Sequence, residues 1–179
     1  RLQPDSDWLF ETSVRWLANN DRADDAVSLL RSRAVSSARS TWSRDELWAL
    51  ALAQRAQARE AEGHPKEAIS DLERAIVLAP RDPWSRYRLA RLHAQQGSAE
   101  QSLAVLDEGV RLAASDPEMR YVQGLYLASI DDYEGAVAAI ENIAANDRSE
   151  AINELHARAQ IEVASASARR LKSAGDAEG

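Results

Sequence analysis

Apolar residues recur along this chain at the three- and four-residue steps of a helix, and the pattern itself comes back. Leu103, Leu106 and Val110 fall at helical spacing and predict one buried stripe on a helix. Trp8, Phe10, Val14 and Leu17 predict a helix near the start, and Ala26, Val27 and Leu30 begin a second one after the polar turn NNDRADD. Sliding the sequence by 34 residues aligns Pro83 with Pro117, Arg86 with Arg120 and Tyr87 with Tyr121. The same step relates Gly63, Gly97 and Asp131, then Ala68, Ser102 and Ala136, then Ile69, Leu103 and Val137, then Leu72, Leu106 and Ile140. Turn positions and core positions keep one register, which a chance match does not do. The unit is a helix pair, A and B.

The polar positions mark where the helices begin. Asp82 and Asp116 are natural N-caps, each followed by a proline at the first helical position, where the missing N–H costs nothing. Helix A then runs to a tight turn at Gly97 or Asp131. Helix B restarts with Ser98 and Gln101 as a capping box and with Asp131 and Glu134 resembling one. In GHPKEA, Gly63 ends one helix and Pro65 starts the next. Repeats are expected over about 7–40, 49–82, 83–116 and 117–150, with an eight-residue insertion at 41–48. Within it Ser43 and Glu46 form a capping box, and Trp42 with Leu47 fits a hydrophobic staple, predicting a long helix from about Arg44 to Glu62. Such an insertion should change the local superhelical pitch and could serve as a hinge. Asp147 and Glu150 are expected to cap a long helix reaching about Ala174, with SAGDAEG as a further interhelix turn, so that 151–179 reads as the long helix of a truncated next repeat.

Composition sharpens the class. Of 179 residues 45% are apolar and 28% charged, with seven glycines and five prolines, which suits a folded all-α protein and leaves little for the turns of a β fold. A formal charge of -7 argues against general affinity for nucleic acid or anionic lipid. No apolar run approaches the ~20 residues of a membrane span. Cysteine is absent, so disulfides and thiolate chemistry are excluded. The sequence begins at Arg1 with no signal peptide, and it reads as a piece cut from a longer array.

A helix–turn–helix unit of 34 residues is the period of tetratricopeptide repeats, and the residues resemble that family. Small residues stand where helix A packs closely (Ala56, Ala90, Gly124), an alanine begins helix B (Ala68, Ala136), and Pro80 closes a unit. Arg86 and Arg120 depart from the pattern, which usually has a large apolar residue there, and Ser102 and Gly109 replace alanines. The resemblance covers about residues 7–174 and implies an all-α, right-handed α-solenoid. A narrower likeness joins Tyr87-Arg88-Leu89 and Gly124-Leu125-Tyr126-Leu127, with the DP openings and INELHARAQ, to the repeat region of the bacterial cellulose exporter family, the C component of cellulose synthase. That resemblance implies a periplasmic scaffold preceding an outer-membrane β-barrel, which together export β-1,4-glucan. It implies protein partners in the export machinery and contact with cellulose or peptidoglycan glycan.

Catalytic chemistry finds no foothold in the sequence. His64, His93 and His156 lie apart, none with a second ligand at helical metal spacing, and Asp24/Asp25 and Asp131/Asp132 sit where capping accounts for them. There is no nucleophile elbow, phosphate loop or nucleotide fingerprint, so no enzyme, cofactor or metal is expected. Binding is the expectation instead. In stacked helical hairpins the A helices line the inner surface. Its outward residues here would be Trp8, Glu11 and Arg15, then Trp84, Tyr87, Arg91 and Gln95, then Glu118, Tyr121 and Leu125. Trp8, Arg15, Trp84, Tyr87, Arg91 and Tyr121 are the candidate partner- or glycan-binding residues, because aromatic faces with polar tips suit sugar stacking or peptide anchoring. Packing against the next unit is the competing role for Tyr87 and Tyr121. Trp16, Trp42 and Trp48 are expected to lock the irregular first unit. Arg86 and Arg120 are expected to lay their stems on apolar surface with the guanidinium in water. Alternatives to cellulose export are a scaffold of another exopolysaccharide exporter and a cytosolic peptide-binding adaptor. The mixture of Arg15 and Arg91 with Glu11 and Glu118 speaks against a carboxylate clamp.

Overall fold

The computed structural model describes residues 7–32 and 42–175. Residues 33–40 of the first expected repeat, Thr41 of the insertion, and the end of the expected C-terminal turn at 176–179 lie outside the described residues. Among the described residues every regular element is helical: α1 (Asp7–Ala18), α2 (Ala23–Ser32), α3 (Arg44–Ala61), α4 (Pro65–Leu78), α5 (Pro83–Gln95), α6 (Ala99–Leu112), α7 (Pro117–Ser129), α8 (Tyr133–Glu141), a 3-10 turn (Ala145–Asp147) and α9 (Glu150–Gly175). They fall into two compact units, one through Val105 and one from Leu106. The all-α, tetratricopeptide-type reading of the sequence is what the structure has.

Caps explain the boundaries. Ser43 Oγ accepts from the Glu46 N–H at 3.1 Å while the Glu46 carboxylate accepts from the Ser43 N–H at 2.7 Å, a complete capping box opening α3. Those hydrogen bonds hold the Glu46 carboxyl below its ordinary value. Asp82 and Asp116 cap α5 and α7, each with its proline in the first turn. Gly63 and Gly97 take positive φ, and Asp131, one period on, takes it too at 63°. Here the sequence reading needs correction: Asp132, whose carboxylate accepts from the Gly135 N–H, caps α8, because Asp131 is committed to the left-handed turn. Likewise Asp147 lies in the 3-10 turn, and Ser149 Oγ, accepting from the Ile152 N–H at 3.4 Å, stands at the start of α9.

In the first unit one core joins Phe10, Val14, Leu30, Leu47 and Leu52, with Trp42 and Trp48 packed on it. A second joins Ala53, Ala56, Leu72, Leu89 and Leu92. Trp16 does not lock this unit as expected, since it is 55% exposed. On α6 Leu106 is buried as expected, but Leu103 is exposed and Val110 half-buried, and the small residues Ser102 and Gly109 are inside in their stead. In the second unit Ile140, Ile143, Ile152, Leu155 and Ala159 form the core. A Cβ on Gly124 would lie 3.4 Å from Ile140 Cγ1, so α7 and α8 meet there almost backbone to side chain.

Candidate functional site

Three of the six candidate residues come together on α5. Proline at the first helical position and the Asp82 cap fix where this helix starts, so Trp84, Tyr87 and Arg91 stack along one face at helical spacing. The Trp84 and Tyr87 rings meet edge to face, centroids 6.0 Å apart at 84°. The Arg91 guanidinium lies 6.0 Å from the Tyr87 ring centroid, and its Nη2 pairs with Glu60 Oε1 of α3 at 3.2 Å. Trp84 is 40% exposed and Tyr87 half-buried, so the cluster offers one aromatic face with a neutralised charge pair beside it.

The other three stand elsewhere. Arg15, on α1, lies 4.9 Å over the Trp42 ring and pairs with Glu11 at 3.7 Å. Glu11 is buried rather than outward, a correction that follows from its place among the core residues Phe10 and Val14. Trp8 is 60% exposed on the same helix. Tyr121 belongs to the second unit, where it and Leu125 pack against the apolar core.

Sequence reasoning missed the most heavily bonded polar group. Arg55 on α3 donates from Nε and Nη2 to both oxygens of Asp71 on α4, at 2.7 and 2.6 Å. Arg59 Nη1 reaches the same carboxylate at 2.8 Å, and Asp24 of α2 lies 3.4 Å from Arg55 Nη1. Arg55 and Asp71 are 6% and 2% exposed, and the hydrogen bonds it donates to Asp71 hold the Arg55 guanidinium further above its ordinary value. Arg86 was also misplaced: it is 2% exposed, its Nε donating to the Pro80 carbonyl and its Nη1 to the Val105 carbonyl, so the guanidinium is not in water. Two carbonyls close to a fully covered stem satisfy it better than a long reach to solvent.

No group of three or more His, Asp or Glu side chains among the described residues is arranged to hold a metal, and no helix there is long and apolar enough to cross a membrane. His156 Nε2 is 3.8 Å from Glu141 Oε1, joining α9 to α8, while His64 precedes α4 without a side-chain cap bond.

Residues 59–126 match the tetratricopeptide repeat family model. Cellulose synthase operon protein C of Xanthomonas axonopodis pv. citri is 35% identical over 124 residues, which is 68% of this chain and 8% of that protein. Its namesake in Escherichia coli K12 is 31% identical over 124 residues, 69% of this chain and 11% of that protein. The chain thus spans about a tenth of the length of these relatives. A Podospora anserina protein of nearly identical TPR-like repeats superposes with a TM-score of 0.55 at 21% identity, covering 94% of this chain and 92% of that one. The Sgt2 TPR domain of Aspergillus fumigatus gives 0.52 at 20% identity, covering 66% and 81%. These likenesses to solved structures concern the fold. With its helix pairs, caps and matched residues, the chain is a tetratricopeptide-repeat array, similar over two thirds of its length to a segment of bacterial cellulose synthase operon protein C.

Proposed function

We propose that this array is part of a non-catalytic periplasmic scaffold in a bacterial cellulose export complex. It holds protein partners of that machinery and helps position an outer-membrane export pore. The observation that carries the reading is the similarity to cellulose synthase operon protein C through the repeats. Within the array the α5 cluster is the contact surface: Trp84 and Tyr87 supply flat apolar area, and Arg91 sits at its edge. A glucan chain stacks on such a face, and a partner side chain inserts beside it. Against a carboxylate-clamp adaptor stands the fact that Arg91 and Arg15 each already hold a carboxylate, Glu60 and Glu11.

The test is genetic and biochemical together. Deleting the encoding gene should abolish secreted cellulose while glucan synthesis by inner-membrane vesicles continues, and fractionation should find the product in the periplasm. Secretion unchanged by the deletion would overturn the reading. Trp84→Ala with Tyr87→Ala should weaken partner or cello-oligosaccharide binding by on the order of 2 kcal/mol, read as lost amide shifts along α5.

A further inference from the structure

Arg86 and Arg120 stand one 34-residue period apart, and their guanidinium groups meet different surroundings. Arg86 is plugged into two main-chain carbonyls. The Nε of Arg120 is buried and has no acceptor. Arg120 is among the residues lining a cavity of about 220 Å³, with Ala114–Pro117, Asn142–Ala144 and Asp147. The cavity has a cause in the chain. Helix α6 runs for 14 residues but α8 stops after 9, and the backbone turns instead through Asn142 into the 3-10 turn. Arg148 fixes that turn, donating from Nε to the Ile143 carbonyl at 3.0 Å and from Nη2 to the Glu141 carbonyl at 3.4 Å.

We propose that this cavity binds a small, neutral, hydroxyl-rich molecule the size of one sugar ring, with Arg120 donating to it and Asn142, Asp116 and Asp147 accepting from it. The polar lining decides the class. Asn142 Nδ2 is committed to the Ala138 carbonyl at 2.7 Å, which leaves its Oδ1 as acceptor. Asp116 Oδ1 accepts from the Glu118 N–H at 2.9 Å, which leaves its second oxygen. Two carboxylates facing one guanidinium leave excess negative charge, so a carboxylate or phosphate ligand is repelled. A cation is opposed by Arg120. A hydroxyl both donates and accepts, and a ring bearing several of them meets the Arg120 guanidinium, the Ser115 hydroxyl and the acceptors at once. The volume lies below the ~300 Å³ at which pockets for larger ligands begin, which suits a single ring. The site lies in the second unit and does not rest on the α5 cluster or on the function proposed above.

The experiment is an amide-shift titration of the whole 179-residue chain with D-glucose and, separately, with sodium acetate. Saturable shifts confined to the segments 114–120 and 142–148 with glucose, and none with acetate, are expected. Arg120→Met should weaken glucose by about ten-fold or more, since it removes a charged donor. Asp147→Ala, at an exposed position, removes an acceptor and should also weaken it while leaving the melting temperature unchanged, so the test stands even if Arg120→Met unfolds. No saturable shift in those segments overturns the proposal, as does saturation by acetate or wild-type affinity in Asp147→Ala. Shifts along α5 instead concern the other surface, so the two readings fail separately.

Discussion

The helix pair α3–α4 and the pair one period later solve the same packing problem with opposite chemistry. Arg55 and Asp71 are buried and ion-paired between α3 and α4. One period on, their places are taken by Leu89 and Val105, which belong to one apolar cluster with Leu72 and Leu92. A buried salt bridge must recover the desolvation of two charges before it stabilises anything, whereas an apolar pair gains directly from leaving water. The repeat therefore does not need the ion pair in order to close. What the pair adds is direction: a bidentate Asp71 carboxylate shared with Arg59, and an Arg55 guanidinium that also reaches Asp24 of α2, admit one register of α3 on α4.

That contrast predicts the largest effect. Asp71→Val alone leaves Arg55 buried without its partner and should cost about 3–5 kcal/mol in urea unfolding. The double variant Arg55→Leu/Asp71→Val copies the neighbouring repeat and should recover wild-type stability or exceed it by about 1–4 kcal/mol. A double variant as unstable as the single one would break the comparison, because the two sites would then not be interchangeable.

The two arginines one repeat apart give the next effect. Arg86→Met strips charged donors from the Pro80 and Val105 carbonyls and should cost about 3 kcal/mol. Arg120→Met removes a donor whose Nε has no acceptor and should cost less than about 1 kcal/mol. Equal losses in thermal unfolding would mean that Arg120 is held as firmly as Arg86.

What was legible beforehand follows from how far each signal reaches along the chain. The Ser43 capping box, the prolines at 83 and 117 and the glycine turns act over four residues or fewer, so their spelling alone locates α3, α5 and α7. Long-range polar choices leave no such spelling. Arg55 and Asp71 are 16 positions apart in helices where arginines and carboxylates abound, and nothing local distinguishes them from Arg59 or Glu67. The early end of α8 was hidden for the same reason, since Arg148 stops it by bonding back to carbonyls five and seven residues earlier. In the candidate site, helical spacing brought Trp84, Tyr87 and Arg91 into view together, but Glu60, which neutralises Arg91, lies 31 residues away.

The smallest effect concerns the turn that the last three repeats share. Gly63, Gly97 and Asp131 occupy the same register with φ of 81, 77 and 63°. A Cβ on Gly97 would meet nothing within 4 Å, so Gly97→Ala tests backbone conformation alone and should cost about 1–2 kcal/mol. Asp131 already carries that burden, eased because aspartate tolerates the left-handed region better than alanine. Asp131→Gly should therefore stabilise the chain, by about 0.5–1 kcal/mol, even though it removes the acceptor of the Tyr133 hydroxyl at 3.1 Å. That hydrogen bond keeps the Tyr133 phenol above its ordinary value, so in the variant Tyr133 should ionise at lower pH, readable by ultraviolet absorbance. A variant that gains stability while its tyrosine titrates earlier separates the two roles of Asp131. Loss of stability would instead mean that the exposed Tyr133 contact outweighs the strain, and that the repeat at 117–150 holds its turn by side chain where the two before it hold it by glycine.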